Sequence, residues 1–381
     1  MVENKSKLPH VGTNIFTKMG QLAVSHNAVN LSQGFPNFDP DAKLLELVND
    51  AFKKGYHQYA PMQGIFSLRE AIAEKIEQLY GARYHPESEV TITTGATQAI
   101  FTTISTFIHP GDEVIVIKPA YDSYEPTIAL FGGTVIPIAL EGTDFSMNWE
   151  KLKAAIGTKT KMVIINTPHN PTGTIWSSND MIQLQGILEG TNILLLSDEV
   201  YEHIVFDGKA HESVAKYPDL ASRTIICSSF GKTFHATGWK IGYCVAPKPL
   251  MQEFQKAHQF VVFSVNHAIQ IALATYLKNP DSYLDLNNFY EEKRNYFLNA
   301  LKGSRFTFTP SSGTYFQLLD YSDITNEQDT TFAERLITEH GLASIPVSVF
   351  CMKDYDHYFL RFCFAKNRET LDKAAEILNR I

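Results

Sequence analysis

The chain has 381 residues, of which 44% are hydrophobic and 19% charged, and its formal net charge is -8 at pH 7. This length and composition predict a globular protein with two or three domains, or one large domain with a smaller companion. The chain is acidic and has no run of lysine or arginine, so it lacks the clustered positive charge that is usual in proteins that bind nucleic acid or anionic membranes. Small molecules are therefore the expected partners.

The segment 1–13 lacks the apolar stretch of a signal peptide, and no apolar run approaches membrane-spanning length, so we expect a cytoplasmic protein. Cysteine usage points the same way. All of the cysteines stand among apolar residues without a CxxC pair, at Cys227, Cys244, Cys351 and Cys363. They indicate neither a disulfide framework nor a zinc site, and no metal is expected.

Short apolar runs predict strands between residues 89 and 246, with helical patterns between them. The runs are 89–93, 113–117, 134–138, 161–166, 192–197, 224–228 and 242–246. Because they are apolar on both faces, they predict a mostly parallel sheet flanked by helices, which is an α/β core. Apolar residues at i, i+3, i+4 and i+7 predict a helix over 97–108.

The pattern changes after about residue 278, where long helical segments and separated strand-like runs follow. The predicted strands there are 305–310, 313–320 and 357–365. This mixture is typical of a smaller α+β domain. We therefore predict a large domain of residues 41–277 and a small domain formed by 1–40 together with 278–381.

In an open α/β sheet, ligands bind outside the carboxyl ends of the strands, so the residues that follow each predicted strand are candidates for a site. Gly95, Ala96 and Thr97 follow 89–93 and open a helix, where free N–H groups and the helix dipole favour an anion such as phosphate. The motif is neither GxGxxG nor GxxxxGK[ST], so a dinucleotide or an NTP is not favoured. A simple N-cap at Thr94 explains the same residues equally well.

The other predicted strands end in similar candidates, each with an ordinary structural alternative. Tyr121 places a ring near the same edge, and Asn170 lies in a loop with two prolines, where asparagine is usually a turn former. Asp198 is equally at home as an acid at the start of a helix. Lys232 follows 224–228, and a lysine in such surroundings usually lies on the surface with its stem along apolar neighbours.

Together with Tyr201, which closely follows Asp198, these residues supply an anion cradle, a carboxylate, a phenol, an amide, a stacking ring and a lysine in low-polarity surroundings. Pyridoxal 5'-phosphate needs such a set: an amine for its aldehyde, a carboxylate for its pyridinium nitrogen, and N–H donors with a cation for its phosphate. Arg361 stands in an apolar run, where an unpaired charge would cost several kcal/mol. It must pair with a carboxylate, which belongs either to the protein or to a ligand.

Several ordered motifs resemble those of the class I, fold-type I aminotransferases. They are NLSQGFPNF, HQYAP, NTPHNPTG, SDEVYEH and SSFGKTFHATGWKIGYCVAP, and the resemblance runs from residue 31 to residue 366. It is strongest to the bacterial methionine aminotransferases and the kynurenine aminotransferase (glutamine transaminase K) group. The resemblance implies a fold-type I transferase that depends on pyridoxal 5'-phosphate, and a homodimer with shared active sites.

The resemblance also implies roles for the candidate residues around the cofactor. Lys232 would bind the cofactor covalently and then act as the catalytic base. Asp198 would pair with the pyridinium nitrogen, and Tyr201 and Asn170 with the phenolate oxygen. The remaining implied contacts are to the phosphate and the ring face, from Gly95, Ala96, Thr97, Ser229, Lys240, Tyr121 and, across the dimer, Tyr59. Many aminotransferases carry arginine in place of Lys240, but the kynurenine and methionine group tends to have lysine there.

For the substrate, the resemblance implies that Arg361 binds the α-carboxylate with help from Gly34 and Asn170. Ile15 and Phe16, with Phe263 of the partner subunit, would cover the pocket. The implied reaction is ping-pong transfer of the amino group from an L-amino acid to a 2-oxo acid. Methionine and aromatic amino acids are the implied donors, with kynurenine or glutamine as further possibilities.

Two alternatives stay open on the same fold. A C–S β-lyase would use the same cofactor and the same lysine, and would release pyruvate and ammonia without a 2-oxo acid acceptor. A non-catalytic sensor usually carries an attached DNA-binding domain, for which neither end of this sequence has room.

Overall fold

The structure is a computed structural model that describes residues 5–352 and 358–381. Its strands are β1 (Val29–Asn30), β2 (Val90–Thr93), β3 (Glu113–Lys118), β4 (Thr134–Ala139), β5 (Thr160–Asn166), β6 (Leu194–Asp198), β7 (Thr224–Ser229), β8 (Gly242–Val245), β9 (Phe316–Asp320), β10 (Leu342–Ala343), β11 (Ile345–Pro346) and β12 (Phe359–Cys363).

Its helices are α1 (Ile15–Ser25), α2 (Ala42–Lys53), α3 (Phe66–Tyr80), α4 (Gly95–Phe107), α5 (Tyr124–Leu130), α6 (Trp149–Ala155), α7 (Ser178–Leu188), α8 (Pro218–Ala221), α9 (Phe230–Thr233), α10 (Lys248–Val261), α11 (His267–Tyr276), α12 (Asp281–Leu284), α13 (Leu286–Ala300), α14 (Asp329–Thr338) and α15 (Arg368–Leu378). None of these helices, over the described ranges, has both the length and the apolar character needed to cross a membrane.

A seven-stranded sheet in the order β2-β8-β7-β6-β5-β3-β4 lies at the centre of the described structure. Its strands are parallel except β8, which runs antiparallel to β2 and β7. Alternate residues of one strand enter different cores: Val114 and Val116 of β3 pack with α4, α5 and α10, whereas Ile115 and Ile117 face the opposite core. Helices therefore cover both faces, and the predicted α/β fold with a mostly parallel sheet is confirmed.

The strand directions bring the polar chain ends to one edge of this sheet. β2 and β7 point the same way because each is antiparallel to β8, so the carboxyl ends of β2, β5, β6 and β7 meet. Asn166 is paired in register with Asp198, and Gly242 lies between Thr93 and Ser229. Since β8 runs in reverse, it begins at the edge where its neighbours end.

The carboxyl-terminal part of the chain builds a separate antiparallel sheet in the order β11-β12-β9. Arg361 lies in the middle of β12, between Ile345 and Leu318. A short parallel pair, β1 with β10, ties the amino-terminal segment to the carboxyl-terminal one. These elements form the predicted smaller α+β part, while the boundaries at 40/41 and 277/278 stay a prediction.

The strand predicted at 305–310 is wrong. In this segment only Thr307 takes part in a bridge, an isolated one with Asp320. Phe306 and Phe308 pack against the core from irregular backbone. Their alternation with polar residues therefore reflects burial, and not pairing with a neighbouring strand. The strand predicted at 313–320 is shorter, and that predicted at 357–365 appears as β12, with its first residue, His357, outside the described residues.

Candidate active site

A cavity of about 280 Å³ opens at the sheet edge where the polar strand ends meet. Its walls come from the amino-terminal segment, the central sheet and the carboxyl-terminal sheet. Thirteen of the residues singled out in the sequence lie in its lining: Phe16, Gly34, Gly95, Ala96, Thr97, Tyr121, Asn170, Asp198, Tyr201, Ser229, Lys232, Lys240 and Arg361. The structure thus brings together residues that are up to 345 positions apart, from Phe16 to Arg361.

Lys232 lies in α9, directly after β7, with its amine enclosed by the cavity walls. The Nζ atom donates to the backbone carbonyl of Gly34 at 3.2 Å and lies 5.8 Å from the ring centre of Tyr201. Burial lowers the pKa of Lys232 to about 8, and the nearby cations Lys240 and Arg361 act in the same direction. A substantial neutral fraction near pH 8 is what a nucleophilic amine requires, and Lys232 is therefore not the surface lysine of the ordinary alternative.

The amino terminus of α4 faces the same cavity. Thr94 occupies the N-cap position but makes no side-chain hydrogen bond to the helix, so the simple N-cap explanation does not describe it. The first N–H groups of a helix without a cap are free for an anion. The side chain of Lys240 lies beside Gly95 and supplies positive charge there. A Cβ added to Gly95 would lie 3.3 Å from the Nζ and Cε atoms of this lysine.

The helix start and the reversed strand β8 approach each other closely at Gly242. A Cβ at this position would lie 2.6 Å from the carbonyl oxygen of Ser228 and 2.8 Å from the backbone nitrogen of Ala96. Only glycine fits such an approach without moving the backbone. Gly242 therefore sets how near the helix start lies to the end of β7.

Asp198 ends β6 and is buried, with only 4% of its surface exposed. Burial raises the pKa of Asp198 to about 6, while a hydrogen bond from Tyr124 favours the charged form. The Tyr124 hydroxyl donates to its Oδ2 at 2.5 Å, and the backbone N–H of Val200 donates to its Oδ1 at 3.3 Å. The segment after it is a turn, so Asp198 is not the acid of a helix N-cap.

Arg361 is 1% exposed, and its guanidinium lies 3.9 Å from the ring centre of Phe316. Its Nη1 donates to the Asn170 side-chain oxygen at 2.7 Å, and its Nη2 donates to the Ser32 carbonyl at 3.2 Å. The Nε atom is buried, and no residue in the described ranges accepts a hydrogen bond from it. The salt bridges of the described residues do not include Arg361, so the structural carboxylate of the ordinary alternative is not found among them. Its burial lowers the pKa of Arg361, yet the group keeps its charge because arginine titrates far above neutral pH.

Asn170 is oriented by this arginine. Arginine can only donate hydrogen bonds, so the side-chain oxygen of Asn170 faces Arg361 and its amide hydrogens face the other way. The backbone N–H of Asn170 donates to Asn166 at 2.9 Å, and Asn166 in turn donates to the Asp198 carbonyl at 2.8 Å. Asn166 therefore joins the ends of β5 and β6 to the Asn170 loop.

Tyr201 and Tyr315 pack edge to face, with ring centres 5.2 Å apart. Burial raises the pKa of both phenols, so both are hydrogen-bond donors at neutral pH. The Tyr315 hydroxyl donates to the Gly34 carbonyl at 2.7 Å, the same oxygen that accepts from Lys232. Tyr315 thus fixes the backbone turn that carries Gly34.

Three of the predicted site residues do not line the cavity. Ile15 packs against the core beside it. Tyr59 and Phe263 lie on the outside, 78% and 61% exposed, with their rings in edge contact at 5.0 Å. Their predicted roles involve a second subunit and stay a prediction.

Sequence reasoning missed Asn166, Tyr124 and Tyr315. Asn166 could have been found, because it is a polar residue at the end of an apolar run. Tyr124 and Tyr315 carry no such signal, because each reads as an ordinary buried aromatic. Among the described residues, no three His, Cys, Asp or Glu side chains converge as ligands for a metal ion.

A second polar cluster lies behind the site. Buried Lys75 of α3 donates to Glu202 at 2.7 Å, and Glu202 also accepts from Tyr80, Ser228 and Tyr243. Burial alone would raise the pKa of Glu202, but Lys75 and these donors outweigh it and hold that pKa well below its usual range. Glu202 directly follows Tyr201, so this cluster anchors the Tyr201 turn to α3.

Comparison with known proteins agrees with this geometry. The family model for aminotransferase class I and II matches residues 26–378. The chain belongs to the aminotransferase class I and II family. This aminotransferase is 48% identical, over 99% of its length and 98% of the relative's, to the methionine aminotransferase of Escherichia coli K12. It is 33% identical to the kynurenine–oxoglutarate transaminase of Dictyostelium discoideum, over 97% of this chain and 94% of that one.

A solved structure, YbdL from Escherichia coli, described as having a methionine aminotransferase function, superposes on this aminotransferase with a TM-score of 0.98. The two are 47% identical, and the match covers 100% of both chains. The architecture is that of fold-type I aminotransferases, and the resemblance seen in the sequence is confirmed. The protein is an amino acid transaminase, and these relatives do not favour the C–S β-lyase alternative.

Proposed function

We propose that this aminotransferase uses pyridoxal 5'-phosphate, bound to Lys232, to transfer the amino group of methionine or an aromatic amino acid to a 2-oxo acid. The observation that carries the proposal is the Lys232 amine, enclosed in the cavity with a pKa lowered to about 8. The buried carboxylate of Asp198 and the cationic cradle at Gly95 line the same cavity.

The residues of the cavity fit the chemistry of this cofactor. Its phosphate matches the free N–H groups at the start of α4 with Lys240 beside them. Its ring nitrogen matches Asp198, and its face matches the ring of Tyr121, whose hydroxyl lies 3.5 Å from Thr97. The amide hydrogens of Asn170 and the phenol of Tyr201 supply donors for its ring oxygen, and Ser229 lies beside the phosphate cradle.

When bound, the cofactor supplies an electron sink that stabilises negative charge on the substrate α-carbon. Arg361 binds and orients the substrate α-carboxylate: its fork is held by aromatic rings, and its buried Nε–H has no hydrogen-bond partner among the described residues. The Lys232 amine would take the proton from the substrate α-carbon and later give it back, and its lowered pKa suits it to both directions.

The guanidinium that would hold the substrate carboxylate is surrounded by aromatic rings, of which Phe16 and Phe316 line the cavity. The Arg361 guanidinium lies 5.2 Å from the ring centre of Phe16 and 5.8 Å from that of Phe350, and these two rings stand 5.8 Å apart. Arg361 is the sole arginine among the described residues that line the cavity, so a second carboxylate has no matching fork. These features support an apolar or aromatic amino acid as the donor.

Borohydride reduction of the purified protein, followed by peptide mapping, tests the cofactor and its attachment. We expect the pyridoxyl label on Lys232 and the loss of the visible absorption band on reduction. A Lys232→Ala variant is the matched control and should take up no label. A label on another lysine, or no cofactor band after incubation with pyridoxal 5'-phosphate, contradicts the proposal.

A panel of amino acids with several 2-oxo acids tests the substrate class. We expect the highest kcat/KM with methionine, phenylalanine or tyrosine, and a product that appears only when a 2-oxo acid is present. A clear preference for aspartate overturns the substrate proposal. Release of pyruvate and ammonia from cystathionine without an acceptor would instead support a lyase.

We also propose a homodimer in which Tyr59 and Phe263 complete the site of the other subunit. Both residues are exposed and in contact with each other, and Phe260, three positions before Phe263 in the chain, is 87% exposed. Such an aromatic patch outside the cavity is typical of an interaction surface. Mass measurement in solution should give twice the chain mass, and Tyr59→Ala should weaken cofactor binding. A fully active monomer would refute the proposal.

A further inference from the structure

Tyr124 occupies the first position of α5, behind the wall of the cavity. It is 2% exposed and does not line the cavity itself. Its hydroxyl donates to the Oδ2 atom of Asp198 at 2.5 Å, and its ring packs edge to face on Tyr121 with centres 5.8 Å apart. The phenol therefore binds Asp198, the buried carboxylate among the described residues that line the cavity, from behind the cavity wall.

The phenol is a permanent donor in this contact. Burial and the charge of Asp198 raise the pKa of Tyr124 well above its usual range, so its proton stays on the phenol oxygen throughout the working pH range. A donor within hydrogen-bond distance favours the ionised carboxylate, whereas burial favours the neutral acid. The other contact, from the Val200 N–H at 3.3 Å, is longer and therefore weaker.

Other titratable groups around the pair come from several elements. The charge of Lys232 favours ionised Asp198, and that of Glu199 opposes it. The remaining neighbours, Tyr121, Tyr201 and Cys227, have pKa values raised by burial and stay neutral near pH 7. Within the described residues, Tyr124 is the side chain that donates a hydrogen bond to Asp198.

We propose that Tyr124 is a positioning residue of the transamination site, which keeps Asp198 ionised and fixes its second oxygen toward the ring nitrogen of the cofactor. The inference rests on the proposed function, because it concerns the carboxylate that faces the cofactor. One carboxylate oxygen is held by the phenol, and the other accepts only the longer bond from the Val200 N–H, so the second oxygen keeps capacity for a ligand in the cavity that Asp198 lines. Without the phenol, Asp198 would be neutral more often and free to rotate.

Tyr124→Phe tests the inference because it removes the hydroxyl and keeps the ring on Tyr121. With less negative charge at Asp198, the cofactor ring carries less positive charge, and the nitrogen of Lys232 keeps its proton to higher pH. We expect the pH midpoint of the visible absorption band to rise by about one unit. We also expect kcat to fall roughly ten-fold or more while KM for the amino acid stays near the wild-type value, because Arg361 is not touched.

A matched control is Tyr321→Phe, which removes another buried tyrosine hydroxyl, one that donates to the Glu327 carbonyl at 2.8 Å. It should leave the band and kcat unchanged. If Tyr124→Phe does not fold, 3-fluorotyrosine placed at position 124 keeps the hydroxyl and makes it a stronger donor. The midpoint should then move to lower pH.

Combining Tyr124→Phe with Asp198→Asn separates a specific effect from a structural one. An asparagine holds no charge for the phenol to stabilise, so the double variant should be as impaired as Asp198→Asn alone. Independent, multiplicative losses overturn the inference, and so does a wild-type band midpoint in Tyr124→Phe. If the wild-type protein itself shows no cofactor band, the proposed function fails instead, and the two failures are thereby distinguished.

Discussion

Replacing Arg361 by lysine separates two contributions to substrate binding, that of the planar guanidinium with its paired donors and that of the positive charge. Arg361 reaches Asn170 and Ser32 with its two Nη atoms, while its buried Nε has no hydrogen-bond partner in the part of the chain that the structure describes. Lysine keeps one positive charge but loses the paired donors and the flat surface that stacks on Phe316 at 3.9 Å. We therefore expect the substrate carboxylate to lose one of two charge-assisted hydrogen bonds.

A hydrogen bond to a charged group contributes about 1.5 to 3 kcal/mol. At about 1.4 kcal/mol for each factor of ten, kcat/KM for methionine should fall roughly 10- to 150-fold in Arg361→Lys. Most of the loss should appear as a higher KM, because the carboxylate is bound equally in the ground state and the transition state. Steady-state kinetics on enzyme saturated with pyridoxal 5'-phosphate measure this directly.

Two controls make the result specific. Methioninol lacks the carboxylate, so the wild-type protein and Arg361→Lys should process it equally slowly. Arg335→Lys changes an arginine that pairs with Glu327 away from the cavity and should leave kcat/KM unchanged. If Arg361→Lys keeps kcat/KM for methionine within two-fold of the wild-type value, Arg361 does not bind the carboxylate and the reasoning is refuted.

Three further predictions concern the scaffold. Gly242→Ala should lower the free energy of unfolding by about 1 to 3 kcal/mol and weaken the binding of pyridoxal 5'-phosphate, because its Cβ would lie 2.6 Å from the Ser228 carbonyl oxygen. Gly186→Ala is the control, because the described residues leave open space around that position. Equal cofactor titration curves for the two variants would contradict this prediction. Lys75→Met should lower the free energy of unfolding by about 3 to 5 kcal/mol, measured with urea, whereas the exposed Lys373→Met should change it by less than about 1 kcal/mol. Since the folded-state pKa of Glu202 lies well below its ordinary value of 4.5, its contribution to stability is complete above that value and lost as pH falls. Glu202→Gln should therefore flatten the dependence of unfolding free energy on pH below about 5, and an unchanged slope would argue against it.

Much of the site could be predicted from residues that interrupt apolar runs. Asp198 and Lys232 stand where runs of β-branched and apolar residues stop, and parallel strands place such stops at one edge. Arg361 is conspicuous for the opposite reason, as a charge inside an apolar run. In each case a charged residue stands where a buried strand normally has apolar residues, and this can be seen in the sequence alone.

Other features could not be predicted, because their signal lies in three-dimensional contacts. Tyr124 looks like any core aromatic until the fold places its hydroxyl on Asp198. The strand expected at 305–310 has the right alternation, but whether a segment pairs depends on a neighbouring strand that its own residues do not specify. Glu202 and Lys75 are 127 positions apart, and nothing local joins them.

The reversed strand β8 has a consequence for how the two cavity lysines are tied to each other. The chain leaves the sheet at Ser229 and re-enters at Gly242, and these two residues are register partners, so the ends of the loop 230–241 are clamped side by side. Lys232 and Lys240 both lie in this loop, one near each end. An insertion or deletion within it could not be absorbed by sliding a strand, and would shift the spacing between Lys232 and Lys240. The number of residues in the loop therefore helps to set the distance between these two lysines.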